Sequence, residues 1–347
     1  MDNQSILVPS RIRQNPTLFR ANVPEASIVS TEQLTVPSDG KGVLPFIEGP
    51  SQAVSLVELT QESILPSYAD GEIVIPPGQI IQAIILAAHD AMPDDQFAEP
   101  EIRASHLVQG RIGSAIYKRK EDLLESDKTK YWERMCFCVE VVSRRSTILQ
   151  EPVSLTFGAC RSLQNLNFHG RKGVEPVSIY ISHRAHICSN LLVSLEDGLK
   201  DSVLSSGPED IYAAAYQLFS QFNADENAAA LSGLGRTTIS ASAFAHVIGK
   251  LRVYNCLSTA DKKKLPFNIE IGDSQAYEAT RQFVSGHFGL NGRDSIDLFQ
   301  ALNCFNTGAK NSYIHNFLTK NANCTSLVMG LQRSIEGTCP DYDWFLS

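Results

Sequence analysis

Two hydrophobic periods divide the chain. Within residues 78–92 the apolar positions Ile80, Ile81, Ile84, Ile85 and Ala88 fall at the spacing of one helix face, and Pro93 with Asp94 and Asp95 marks its stop. Within residues 103–190 the period shortens to two. Val153, Leu155, Phe157 and Ala159 alternate with Ser154, Thr156, Gly158 and Cys160, and residues 177–182 repeat the alternation. Residues 135–142 are apolar on both faces, as in a strand covered from two sides. Strands so close in sequence pair most simply as an antiparallel sheet. Further extended segments are expected at 27–29, at 54–59 and just before Pro76, and a short charged surface helix at 118–130.

After Asp197 the period lengthens again. Pro208, Glu209 and Asp210 open a helix carrying Ile211, Ala215, Leu218, Phe219 and Phe222, and residues 240–257 repeat the pattern through Phe244, Val247, Ile248, Leu251 and Tyr254. Further helices are expected at 273–288, 295–305, 312–318 and 324–334, with Trp344 and Phe345 docking the tail. The fold class that follows is α+β, a central and mainly antiparallel sheet with a predominantly helical C-terminal half. Its expected parts are an extended, partly disordered acidic arm (1–50), a β-rich core with one or two helices (51–200) and a helical region packed on that core (201–347).

Charge sharpens this division. The 347 residues carry a net −8, but residues 1–102 hold 4 Lys+Arg against 14 Asp+Glu, and residues 103–186 hold 14 against 8. A positive sheet region between acidic flanks says more about partners than the total does. The eight cysteines are scattered, several within apolar runs, and read as buried free thiols of a reducing compartment. No apolar stretch follows Met1 as in a secretory signal, and the run at 80–88 is far too short to span a bilayer. A cytoplasmic protein without membrane contact is the expectation.

Candidate chemistry is sparse. Cys136 and Cys138 lie in an apolar strand, and alternation sends His183 and His186 to opposite faces although His186 and Cys188 share one. These groupings read as core rather than metal ligands. Residues 233–238 lack the lysine, spacing and preceding strand of a phosphate loop, and no nucleophile signature stands in a strand-turn-helix setting. No catalytic residue, metal or cofactor is assigned, and the reading leans away from an enzyme. The basic set is more informative. Arg111, Lys118, Arg119, Lys120, Arg161, Arg171, Lys172 and Arg184 stand at strand ends, bends and loops, with Tyr117, Tyr131, Trp132, Phe168 and Tyr180 between them. Cations bind phosphates and aromatic faces stack bases, the combination a single strand requires.

Four segments, 110–116, 131–140, 184–191 and 298–318, resemble an uncharacterised bacterial domain family found on phages, plasmids and integrated elements, itself similar to a wider phage- or plasmid-like group. In that wider group a Cys-Ser/Thr-Asn step follows a strand, as Cys188, Ser189 and Asn190 do here. A late helix carries an Asn-Ala/Cys step, as at Asn303 and Cys304. The resemblance covers roughly residues 60–347 and implies a cytoplasmic protein of a mobile element. It adds to the charge argument an expected role as a non-enzymatic, single-stranded nucleic-acid-binding or annealing protein in replication or recombination, with single-stranded DNA as partner and subunits that self-associate. The alternative is a protein-interaction or self-assembling factor, for example in counter-defence, whose acidic arm reaches a neighbour's basic sheet.

Overall fold

The computed structural model of the chain describes residues 28–29, 44–61, 63–65, 74–163 and 175–347. The first half holds β1 (Ile28–Val29), β2 (Gln52–Ala53), α1 (Leu56–Gln61), α2 (Pro77–Ala91), β3 (Phe97–Ala98), β4 (Glu101–Ala104), β5 (Leu107–Arg111), β6 (Lys128–Trp132), β7 (Arg134–Ile148), β8 (Glu151–Ser162) and β9 (Glu175–Ala185). The second holds β10 (Leu199–Ser205), α3 (Pro208–Gln221), α4 (Ala224–Gly233), β11 (Thr238–Ser240), α5 (Ala241–Cys256), α6 (Thr259–Lys262), α7 (Asp273–Ser285), β12 (Ser295–Asp297), α8 (Leu298–Lys310) and α9 (Ile314–Ile335).

Eight strands form one sheet, β1-β3-β7-β8-β9-β10 with β4 also on β7 and β2 on β4, and all its pairings are antiparallel except β1 with β3. The β7–β8 hairpin turns on Leu149 and Gln150, at φ 50° and 70°, the left-handed geometry that follows strand twist in a two-residue loop. Antiparallel pairing with a helical C-terminal half is the architecture the alternating period implies.

The alternation decides what covers each face. Phe137, Val139, Leu155, Phe157, Ile179 and Ile181 meet α2 and α3 in one core, where Phe157 is fully buried and its ring meets Phe97 edge-on at 5.4 Å. Burial of such a side chain stabilises by about 1.5–3 kcal/mol. The opposite face presents Cys136, Cys138, Cys160 and Tyr180 to Phe46, Ile47 and the first half of α9. Gly158 is required there, because a Cβ would lie 1.9 Å from the Phe137 carbonyl oxygen and 3.0 Å from the Tyr180 ring. A third core joins α4, α5, α7, α8 and the end of α9, with Phe345 fully buried in it, so the tail docks as expected.

Several local expectations give way. Residues 118–130 form no α-helix: they make two 3-10 turns and then β6, because Thr129 and Tyr131 take alternate places along a ladder with β5. Residues 56–61 are helical rather than extended, capped by Ser55 and Glu58. The two helices expected at 312–318 and 324–334 are one, α9, whose polar middle is buried rather than looped: Asn321 accepts from the Val193 amide at 3.0 Å and donates to the Leu191 carbonyl at 2.8 Å. Residues 199–205, where the sequence reading has the helical period already begun after Asp197, form strand β10 instead, with a bulge in its pairing with β9 between Lys200 and Val203.

The cysteines also need correction. Cys136 stands directly opposite Cys160 in the β7–β8 register with Cα atoms 4.1 Å apart, and the two form a disulfide, while six cysteines are free. Adjacent strands of fixed register supply this proximity, which spacing along the chain does not display. Within the expected arm, Ile28 and Val29 form β1 and residues 44–50 lie against the fold, with Phe46 and Ile47 fully buried. The remainder of the arm, and the basic loop expected at 165–173 between β8 and β9, lie outside the described residues.

Candidate functional site

The described basic residues separate into two kinds. Arg161 continues the buried face set by Val153, Leu155, Phe157 and Ala159, and is 2% exposed with Nη1 donating to the Ile75 carbonyl at 2.9 Å. This is a correction: Arg161 ties the sheet to the segment entering α2 and offers no surface for phosphate. Arg184 is likewise turned to structural use. Its Nη1 donates to Glu101 Oε2 at 2.8 Å, its Nη2 to the Leu44 carbonyl at 3.4 Å, and its guanidinium lies 5.8 Å from the centre of the Phe46 ring. Glu101 Oε1 in turn accepts from the Phe46 amide. The pair therefore pins residues 44–46 across the sheet, and the carboxylate holds the guanidinium protonated despite its burial.

The other group is gathered on one element. Strands β5 and β6 extend the β4–β7 pair beyond the main sheet as a two-stranded ribbon, with Leu107 opposite Trp132 at its foot and Arg111 opposite Lys128 near its tip. The tip is built around Arg111 and Asp127. Arg111 Nη1 donates to the carbonyls of Ile116 (3.3 Å) and Lys118 (2.7 Å), which closes the turn. Buried Asp127 accepts from Lys118 Nζ on both oxygens at 2.8 Å and from the Leu124 amide at 2.9 Å. The Lys118 ammonium, with that amide, holds the Asp127 carboxyl below the usual aspartate range. Between these anchors Tyr117 is 97% exposed, and Lys118, Arg119 and Lys120 follow it on the surface. Ile116 and Leu124 are also exposed, at 57% and 64%.

Thus Arg111, Lys118, Arg119 and Lys120 share one tip, whereas Arg161 and Arg184 lie inside the sheet layers. Arg171 and Lys172 lie outside the described residues. The strand ends that flank them, Leu163 and Glu175, stand at the end of the sheet from which the ribbon extends, with the Leu163 amide donating to the Glu133 carbonyl. Tip cations and an exposed ring can hold an anionic, planar ligand.

A second polar assembly is buried. Asn190 and Asn303, 113 residues apart, meet directly: Asn190 Nδ2 donates to the Asn303 carbonyl at 3.0 Å, to Asn303 Oδ1 at 3.2 Å and to Thr307 Oγ1 at 3.1 Å. Cys188 Sγ sits 3.5 Å from Asn303 Oδ1. Lys310, with a side chain 1% exposed, donates to the Cys188 carbonyl and meets Glu48, both at 2.7 Å. The residues of the Cys-Ser-Asn step and the late Asn-Cys step are therefore one clasp, which holds the segment after β9 against α8 and residues 48–49 against Lys310. Burial pushes the Cys188 thiol up to about 11, so it is protonated at neutral pH and a poor nucleophile. Ser189 adopts φ 55° within this turn. Sequence reasoning missed Lys310 and Glu48, since a lysine near a helix end and a glutamate in a Pro- and Gly-rich segment carry no pattern of their own.

The histidines are separated as alternation requires. His183 is buried against Asn227 Oδ1 at 3.1 Å, and His186 lies 3.8 Å from Glu140. Among the described residues no group of three His, Cys, Asp or Glu could hold a metal ion, and no helix is long and apolar enough to cross a membrane.

No curated protein and no solved structure matches the chain. A family model described as "Domain of unknown function, B. Theta Gene description (DUF3871)" matches residues 25–346. With nearly the whole length matched, the chain belongs to the DUF3871 family.

Proposed function

We propose that this protein is a non-enzymatic, single-stranded nucleic-acid-binding protein that holds its ligand on the β5–β6 ribbon, acting in the replication or recombination of a mobile element in the cytoplasm. The observation that carries the reading is Tyr117, 97% exposed and followed by the surface cations Lys118, Arg119 and Lys120. An aromatic ring left in water on a turn braced by Arg111 is available to stack a base, while neighbouring cations attract phosphate. Arg171 and Lys172, outside the described residues, keep in this proposal the phosphate-binding part that the sequence gives them.

A second reading rests on a different observation. Ile116 and Leu124 are exposed on the same tip as Tyr117, and Asp127 already neutralises Lys118. A protein surface, including a second copy of this chain, would cover those apolar groups. Anisotropy of a labelled oligonucleotide separates the two. Binding that weakens with salt and is lost in Tyr117→Ala with Arg119→Ala and Lys120→Ala supports the first reading. Absence of binding at low salt, with a concentration-dependent oligomer broken by Ile116→Ser and Leu124→Ser, supports the second.

A further inference from the structure

The foot of the ribbon carries another aromatic surface. Tyr313 occupies the N-cap position of α9 with extended backbone and is 54% exposed. The helix behind it is anchored in the core by Ile314 and Phe317. The Arg134 guanidinium carbon lies 5.8 Å from the centre of the Tyr313 ring. The exposed His315 ring lies at 6.0 Å from it, tilted by only 23°, so the two rings form a broad offset aromatic face.

Arg134 is the first residue of β7, immediately beyond the ribbon. It makes one long ion pair with Glu133 at 3.5 Å, and its Nε, although buried, has no hydrogen-bond partner. Asn316 Oδ1, in the first turn of α9, is a buried acceptor in the same condition. An arginine at the edge of two exposed, offset rings matches two parts of a nucleotide, an anionic phosphate and a flat base, while the buried Nε and Oδ1 take no part in the contact. We infer that Tyr313, His315 and Arg134 form a second nucleotide seat at the foot of the ribbon, with the base on the Tyr313–His315 face and a phosphate on Arg134.

This inference rests on the single-strand reading of the ribbon and lengthens its footprint. Strand β6, from Trp132 at the foot to Lys128 near the tip, spans about 13 Å at a strand's rise. A strand contacting both Tyr117 and Tyr313 therefore runs along the ribbon, within the range of roughly 4–16 nucleotides usual for such grooves.

The test uses the full chain and a fluorescein-labelled thymidine oligonucleotide of about 12 nucleotides. Tyr313→Ala weakens binding about tenfold, the loss of one stacked base, and Tyr313→Phe restores it. Arg134→Gln makes the salt slope shallower by about 0.7. Because Tyr313 is more than half exposed, Tyr313→Ala keeps the wild-type unfolding curve. If wild-type protein fails to bind, this seat and the single-strand reading both fall. If wild-type binds and Tyr117→Ala weakens it while Tyr313→Ala does not, the seat alone is overturned.

Discussion

Replacing Arg184 with methionine separates a structural cation from a ligand-binding one. The side chain is 12% exposed and donates to Glu101, which is 33% exposed, and to the Leu44 carbonyl, with the Phe46 ring at 5.8 Å. A hydrogen bond to a charged group contributes about 1.5–3 kcal/mol and a cation–π contact about 0.5–1 kcal/mol. Removing one partner of a fully buried pair costs about 3–5 kcal/mol, but the partly exposed Glu101 regains water and lowers that figure. Arg184→Met is therefore expected to destabilise by about 2–4 kcal/mol. With a urea slope near 3 kcal/mol per molar, the midpoint falls by about 1 M. A cycle with Glu101→Gln is expected to give a coupling of roughly 0.5–3 kcal/mol. The folded variant keeps the wild-type salt slope of oligonucleotide binding. A variant within about 0.5 kcal/mol of wild type whose salt slope is shallower by about 0.7 would refute the reasoning and make Arg184 a phosphate contact.

Three other perturbations probe the same account. Asn190→Ala leaves Asn303 and Thr307 without their shared donor and is expected to cost about 2–3 kcal/mol by urea denaturation. The Cys136–Cys160 bond closes a separation of 24 residues, so the double alanine variant is expected to lose about 3 kcal/mol, and peptide mapping without reductant yields the linked peptides from oxidised wild-type protein. Burial, opposed by the Asn227 bond, lowers the His183 pKa below 6.5; its stabilisation is therefore full above pH 6.5 and is lost as pH falls toward the folded value. His183→Gln is expected to flatten the decline of stability between pH 7 and pH 5, which for one group never exceeds about 1.4 kcal/mol per pH unit. It flattens only in part, as burial lowers His186 and His315 too.

Sequence periodicity carried the sheet and most helices because their faces meet uniform apolar layers. Ile80, Ile81 and Ile84 are fully buried where helical spacing put them. The same period held a signal about Arg161 that its charge obscured: two residues beyond Ala159, it continues the inward face of β8. Asn321 and Asn323 misled in the opposite sense. A polar run inside α9 reads as a break unless its partners are known: for Asn321 they are the Leu191 carbonyl and the Val193 amide, more than a hundred residues away, and Asn323 accepts from the Glu270 amide. The Cys136–Cys160 bond depended on strand register, and the Lys310–Glu48 pair on the path of residues 44–50. At the candidate site, the clustering of Lys118, Arg119 and Lys120 was legible as a run. The exposure of Tyr117 depends on turn bonds from Arg111 that no pattern announces.

The central claim is that the ribbon holds a single strand through Tyr117 and its neighbouring cations. Anisotropy of a labelled single-stranded oligonucleotide of about 12 nucleotides, titrated with the full chain from about 50 mM to about 200 mM salt, tests it most directly. With Arg119 and Lys120 as contacts, and Lys118 held by Asp127, log affinity is expected to fall against log salt with a slope of about −1.4 or steeper, and Tyr117→Ala to weaken binding about tenfold. No binding at the lowest salt, or binding that Tyr117→Ala and the loss of Arg119 and Lys120 leave unchanged, would contradict the account.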